Sequence, residues 1–253
     1  MTTRSRAQSF NMAAAEYAAS RPSYPPELFD AIEELACHSL TGARVADVGA
    51  GTGIATALLA GRGAEVTAVE PGAEMAAECR SQVPGVLVVR GDGNALPLAS
   101  TSHDFVTYAQ SWQWTDPVVS VPEALRVLRS DGALAIWWNT TAFDVPWIHA
   151  QHLRIAHHCG TEPRPAARPD DTEAIRLAGL TGLRVARRQM RWSRAVSLDT
   201  HLANIGSRSA CLVLDESRRR ALLADEHRLL STAFPDGTIE EIYLVDLLVG
   251  TRP

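Results

Sequence analysis

The chain has 253 residues, 46% of them hydrophobic, and a formal net charge of -5 at pH 7. That is enough apolar material for one large domain, and the acidic balance argues against a general affinity for nucleic acid or an anionic membrane, which calls for a basic surplus. The four cysteines carry no CxxC spacing, no apolar run nears the roughly 20 residues that span a bilayer, and all 24 basic residues are arginine, so zinc fingers, membrane spans and lysine Schiff-base chemistry are not indicated.

The opening MTTRSRAQSFNMAAAEYAAS has arginines but no sustained apolar stretch, so it is not read as a signal peptide. From about residue 28 to residue 160, apolar runs alternate with helical patterns, the rhythm of βαβ units around a parallel sheet. Strands are predicted near 43–49, 65–70, 86–91, 104–110 and 132–139, with helices over 53–61, 72–82 and 117–129. Asp116 is a candidate cap and Pro117 a good first-turn residue for the third helix, and the SDG at 130–132 is expected to stop it.

Past the fifth strand the rhythm changes. Residues 144–159 read as a helix, 160–171 (GTEPRPAARPDD) as an exposed loop, and 183–197 as a strand. Helical patterns follow at 199–206 and 216–232, and 239–250 reads as a last strand, with PDG at 235–237 suggesting a final antiparallel hairpin. Arg184, Arg187, Arg188, Arg191 and Arg194 read as a solvated strand face, with an anion site as the alternative. No internal repeat is found.

The first strand runs into VADVGAGTG, 45–53, and the second ends at Glu70 and Pro71. In a doubly wound sheet the ligand sits at the carboxyl ends of the strands, and glycines in the first turn let backbone approach it where a Cβ would collide. Gly49, Gly51 and Gly53 give GxGxG, whereas the dinucleotide fingerprint is GxGxxG. Asp47 is the more discriminating feature. A carboxylate beneath the turn repels a pyrophosphate but accepts from a cationic amino group, which points to a ligand carrying a ribose and an ammonium.

On these residues the chain resembles the class I S-adenosylmethionine-dependent methyltransferases, in particular the small-molecule branch that includes ubiquinone-biosynthesis-like and trans-aconitate-like enzymes. The resemblance covers about residues 10–140 through motifs in the family's order. It implies an α/β fold with a doubly wound, mostly parallel seven-stranded sheet and a final antiparallel strand, the Rossmann-like methyltransferase fold. It also implies that Asp47, Gly49, Ala50, Gly51 and Gly53 hold the methionine part of S-adenosyl-L-methionine, and that Glu70 takes the ribose hydroxyls. Pro71 and Met75 then border the adenine, and in the GDGNALPL segment Asp92 accepts from the adenine amino group beside Gly93 and Asn94. Taken singly, Glu70 reads as a strand-end surface acid, Asp92 as a turn residue and the glycines as a tight turn. Their joint placement after three successive strands favours the cofactor.

After the fourth strand the chain reads AQSWQWTD, without the Asp/Asn-Pro-Pro-aromatic motif of exocyclic-amino nucleic-acid methyltransferases. In the small-molecule branch a histidine often precedes the second aromatic, and here Gln113 stands there. Gln110 and Ser111 are expected to touch the cofactor. Tyr24, Trp112, Trp114, Trp138 and Trp147 are the candidates for an acceptor pocket, each tryptophan reading equally as core; neighbouring Trp137 and Trp138 must point to opposite faces of their strand. Together they favour an apolar or aromatic acceptor. Tyr17 and Arg21 are expected to close over the cofactor, Arg21 by a two-bond fork to its carboxylate, unless this segment is only a mobile arm. His149 and His152 share a helix face and are candidate bases on a lid helix, and with no HExxH pattern no metal is expected.

The expected organisation is a single methyltransferase domain, 1–253. It comprises an N-terminal cofactor-covering segment (1–27), a cofactor-binding core (28–140), a lid helix and loop (141–182), and C-terminal strands and helices (183–253) that complete the sheet and acceptor pocket. The expected enzyme is cytoplasmic, monomeric or homodimeric, has a small-molecule acceptor with no nucleic-acid or membrane partner, and releases S-adenosyl-L-homocysteine. An NAD(P)-dependent oxidoreductase, or a non-methylating cofactor binder of the same fold, is the alternative. The lysine-free, alanine- and arginine-rich composition suggests a GC-rich genome, which is compatible with specialised metabolism.

Overall fold

The computed structural model describes residues 20–161 and 183–253. By their contacts these form two compact units. The first holds Ser23–Asn139, 183–190 and Val245–Pro253, and the second holds 20–22, 140–161 and Arg191–Leu244. Residues 162–171 of the expected loop and Tyr17 lie outside the described residues.

The elements in chain order are α1 (Pro26–Ala36), β1 (Arg44–Val48), α2 (Ile54–Gly61), β2 (Glu65–Glu70), α3 (Ala73–Gln82), β3 (Leu87–Arg90), β4 (His103–Ala109), a 3-10 turn (Trp112–Trp114), α4 (Pro117–Val127), β5 (Leu128–Thr141), α5 (Pro146–Cys159), β6 (Arg184–Ser197), α6 (Leu198–Gly206), α7 (Ser209–Leu212), α8 (Glu216–Ala233) and β7 (Thr238–Thr251). The seven strands make one sheet in the order β3-β2-β1-β4-β5-β7-β6. The pairs β1–β2, β1–β4, β2–β3 and β4–β5 are parallel.

The last strand runs the other way. Thr140 on β5 donates to the Leu244 carbonyl at 2.8 Å, while Arg252, just past β7, donates to the carbonyl of Arg129 at 2.6 Å. As β5 advances, its partner number falls, which is the antiparallel sense. The expected doubly wound, mostly parallel seven-stranded sheet with an antiparallel final strand is therefore the observed one. The expected terminal hairpin is not: β7 lies between β5 and β6, and three helices separate β6 from β7 in the chain.

Central strands bury both faces, as β4 shows, with His103, Asp104, Phe105, Val106, Thr107 and Tyr108 all buried. β6, last in the order, alternates half-buried with exposed residues along most of its length. Its arginines face carboxylates: Arg187 meets Asp246 and Arg188 meets Glu34 in the first unit, and Arg191 meets Asp144 and Arg194 meets Glu241 in the second. The anion-site alternative is thereby set aside for these four. Charges along an edge strand also discourage pairing with a further strand.

α4 begins as expected, with Asp116 accepting from the Val118 N–H at 3.1 Å and Pro117 in the first turn. Its end differs. Leu128 is already extended and pairs with His103, so the SDG at 130–132 lies inside β5. A Cβ on Gly132 would come within 2.9 Å of the Asp104 carbonyl oxygen, beside the register shift between His103 and Phe105. Glycine is needed there for a close backbone approach, not for a helix stop. α1 and the short α7 are not among the predicted elements.

The second unit holds a buried polar chain. Glu241, 2% exposed, accepts from Arg194 Nε at 2.7 Å, Asn204 Nδ2 at 3.0 Å and the Tyr243 hydroxyl at 2.8 Å, and its Oε1 lies 2.6 Å from His201 Nδ1. Beyond His201, Gln151 donates to Glu226, which Arg154 grips through two bonds of 2.6 and 2.9 Å. Burial works to raise the Glu241 carboxyl, but its hydrogen bonds to His201 and Asn204 and the charges of Arg194 and His201 outweigh that and hold it at about 2. A lowered carboxylate stabilises the folded state above its unfolded value of 4.5, and that stability is lost as pH falls toward 2. Acid titration followed by circular dichroism is expected to show Glu241→Gln losing much of the wild-type decline in stability between these limits.

Candidate active site

The parallel register sets the carboxyl ends of four neighbouring strands side by side. Val48 pairs with Val69, Glu70 with Arg90, and Asp47 with Thr107, so the turns leaving β1, β2, β3 and β4 open along one margin of the sheet. Asp47, Gly49, Ala50, Gly51, Gly53, Glu70, Pro71, Met75, Asp92, Gly93, Asn94, Gln110, Ser111, Trp112, Trp114, Trp138 and Tyr24 all belong to the first unit. Arg21, Trp147, His149 and His152 belong to the second.

Asp47 sits beneath the glycine turn, 0% exposed. Its Oδ2 accepts from the Thr56 hydroxyl at 2.6 Å and its Oδ1 from the Thr107 hydroxyl at 3.0 Å. Burial pushes the Asp47 carboxyl above its ordinary range, and the two hydroxyl donors pull against that shift. The effect reaches its neighbourhood: burial first, and then the Asp47 charge, push the Cys79 thiol up to about 11. Each Asp47 oxygen accepts one hydroxyl hydrogen bond.

Above it the turn is left-handed at Gly49, Gly51 and Gly53, with φ of 70°, 59° and 91°. A Cβ on Gly49 would stand 2.4 Å from Ser111 Cβ, whereas one on Gly51 would meet nothing within 4 Å. Gly49 thus serves close packing and Gly51 borders open space. Glu70 clamps the turn, with Oε2 accepting from the Gly51 N–H at 2.8 Å and Oε1 from the Gly72 N–H at 2.7 Å. Burial raises this carboxyl too, opposed by those two donors and by the Arg90 charge. Thr52, 2% exposed, has a buried hydroxyl with no hydrogen-bond partner among the described residues.

After β3, Asp92 Oδ1 caps the Asn94 N–H at 2.8 Å, and Asn94 Oδ1 accepts from the Asp116 N–H at 2.8 Å. Gly93 is hemmed in by Thr115, Val48 and Tyr108. Pro71 is exposed and Met75 buried. After β4, Ser111 donates to the Val48 carbonyl at 2.5 Å, tying this turn to the end of β1.

The aromatic candidates divide. Trp112 and Trp138, 4% and 1% exposed, lie in the hydrophobic core with Val106, Tyr108 and Ile136, so for these two the core reading replaces the pocket reading. Trp137 is core as well, with Tyr24 and Phe29 edge-on to it. Trp114 and Tyr24 stay half-exposed. In the second unit Trp147 is half-buried and edge-on to His201 and Phe234, His149 is exposed, and both His149 and His152 sit edge-on to Phe143. Arg21 donates to the Ser207 carbonyl at 3.1 Å, and its own carbonyl accepts from Arg194.

Sequence reasoning missed Thr56, Thr107 and Thr52. Thr107 meets Asp47 only because β1 and β4 are neighbours in one register, which no local pattern announces. A surface hollow of about 700 Å³ is lined by Arg44, Glu65, Leu87 and His103 at the opposite, amino-terminal ends of the strands. It has no part in this arrangement.

A family model described as a methyltransferase domain matches residues 46–136. An uncharacterized methyltransferase of Mycobacterium tuberculosis is 33% identical over 224 residues, covering 88% of this chain and 86% of the relative. The chain belongs to the methyltransferases. A malonyl-[acyl-carrier protein] O-methyltransferase of Enterobacter lignolyticus is 38% identical over 143 residues, 56% of this chain and 54% of its own. Among solved structures, a putative type II methyltransferase from Anaeromyxobacter dehalogenans superposes with a TM-score of 0.63 at 22% identity over 92% of this chain and 97% of that one, a likeness of fold. The protein is thus an enzyme of methyl transfer on a Rossmann-like fold, and the nicotinamide alternative is not favoured. No helix among the described residues is long and apolar enough to cross a membrane.

A buried carboxylate whose pKa is raised opposes folding at neutral pH, because the stability it contributes is greatest in acid and is lost as pH rises through the folded pKa. Asp47→Asn removes that penalty, and an amide can still engage both threonine hydroxyls. The ligand-free variant is expected to unfold in urea with a midpoint above wild type, gaining about 1 kcal/mol.

Proposed function

We propose that this methyltransferase takes its methyl group from S-adenosyl-L-methionine and delivers it to O, N or C of a small apolar or aromatic metabolite, releasing S-adenosyl-L-homocysteine. The observation that carries the reading is Asp47, a carboxylate wholly withdrawn from water beneath a glycine turn that is open at Gly51. Such a group stabilises a cation placed above it and repels a diphosphate. The residues fit the donor in two further respects: the Thr52 hydroxyl has a hydrogen bond still to make, and the Glu70 carboxylate stands where the second strand ends.

When bound, the donor supplies a methyl group activated by positively charged sulfur. In this reading the turn from Asp47 through Gly49, Ala50, Gly51 and Gly53 holds its amino-acid portion, and Glu70 faces the ribose. Pro71, Met75, Asp92, Gly93 and Asn94 enclose the adenine, and Gln110 and Ser111 complete the wall. Tyr17 and Arg21 belong to the covering segment 1–27, with 28–140 as the cofactor core, 141–182 as the lid and 183–253 completing the acceptor side. Trp114, Tyr24 and Trp147 are the remaining aromatic candidates for the acceptor wall.

Catalysis is assigned chiefly to orientation and exclusion of water, which together supply roughly 7–11 kcal/mol, more than general-base assistance alone. His149 or His152 would take the acceptor's proton where one must leave. The proposed enzyme is cytoplasmic, monomeric or homodimeric, independent of nucleic acid and membrane, and compatible with specialised metabolism.

Calorimetric titration with S-adenosyl-L-homocysteine tests the reading. Asp47→Ala and Glu70→Ala are each expected to weaken binding tenfold or more, the scale of one charge-assisted contact. Wild-type affinity is also expected to fall on acidification, beginning above the ordinary carboxylate range because burial raises both acids. Unchanged affinity in both variants would refute the assignment.

A further inference from the structure

Gln110, the first residue past β4, has a φ of 58°, a left-handed conformation that glycine adopts easily and a residue with a Cβ adopts at a cost. Nothing local requires it, so its surroundings must hold it. The Gln110 N–H donates to the Trp137 carbonyl at 2.9 Å and its side-chain amide to the Asn139 carbonyl at 3.2 Å. Its own carbonyl accepts from Gln113 Nε2 at 2.6 Å, and Gln113 Oε1 accepts from the Trp138 indole N–H at 2.9 Å.

Gln113 is therefore a two-ended clip. One end grips the carbonyl of the strained residue, and the other is anchored on a tryptophan that is only 1% exposed. What the strain sets is the direction in which the chain leaves β4, and the next residue is Ser111. The Ser111 hydroxyl donates to the Val48 carbonyl, and its Cβ occupies the space that a side chain on Gly49 would need. Gln113, Gln110 and Ser111 thus form a connected path to the glycine turn.

We propose that Gln113 is a positioning residue for methyl transfer, holding Gln110 left-handed so that Ser111 braces the glycine turn in its ligand-ready shape. The proposal rests on the cofactor reading above for what the turn binds. The chemistry is specific: the position needs one donor and one acceptor on a single side chain. A carboxamide has both, as does a neutral imidazole. Glutamate offers two acceptors and would set a carboxylate against the Gln110 carbonyl; methionine offers no donor.

The test is a cycle of Gln113→Met and Gln110→Gly with S-adenosyl-L-homocysteine titration, together with hydrogen exchange of the ligand-free proteins. Glycine accepts the left-handed φ unaided, so the clip should then be dispensable. Gln113→Met is expected to weaken binding about tenfold beside Gln110 and less than about twofold beside glycine, the tenfold loss being one hydrogen bond's worth. In ligand-free protein, Gln113→Met and Gln113→Glu are expected to speed exchange in 108–115 and 49–53 alone, with Gln113→His restoring protection. Equal weakening in both backgrounds, or exchange unchanged in those segments, overturns the proposal. Failure of the wild type to bind the probe would instead count against the cofactor reading, while the exchange comparison still decides the role of Gln113.

Discussion

The arrangement at the strand ends depends on keeping one carboxylate out of water. Asp47 is 0% exposed and held by two threonine hydroxyls. Burying an ion without a counter-ion costs free energy, and the raised pKa is that cost expressed as proton affinity. A fold aimed at stability alone would place a neutral side chain there. The unfavourable field is useful only where a positive group arrives to relieve it, and the glycines leave the room for that approach on the Gly51 side.

Around this charge the rest of the site is bracing. Glu70 holds the turn from the second strand, Ser111 holds it from the fourth, and Asp92 and Asn94 shape the turn after the third. The parallel register brings these together, because it aligns the carboxyl ends of neighbouring strands whatever their distance in sequence. In the second unit a different economy operates. The acids Glu226 and Glu241 are buried with arginine partners at hydrogen-bond distance, so their charges are neutralised within the fold.

Most of the fold was legible in the sequence because its strands and helices carry strong apolar periodicity and sit between turn residues. The glycine turn, Glu70 and the GDGNALP segment were legible as well, each being a local pattern at the end of a strand. What depended on distant contacts was hidden. Thr107 looks like any strand threonine until β4 is known to pair with β1, and Gln113 looks like a surface amide until Gln110 is seen left-handed. Composition named the tryptophans as apolar but not which way they point, and Trp112 and Trp138 turned inward. Gly132 misled for a related reason, since a glycine needed for close approach within a strand has the same letter as one that ends a helix.

If the field of Asp47 selects a cation, it must distinguish ligands that differ only in that charge. The direct measurement compares the affinities of S-adenosyl-L-homocysteine and its deaminated analogue for the wild-type enzyme and for Asp47→Asn. A preference of tenfold or more for the amine in the wild type, largely abolished in the variant, is the predicted result. Equal preference in both proteins would contradict the account, since the positive group would then owe its binding to something other than the acid beneath the turn.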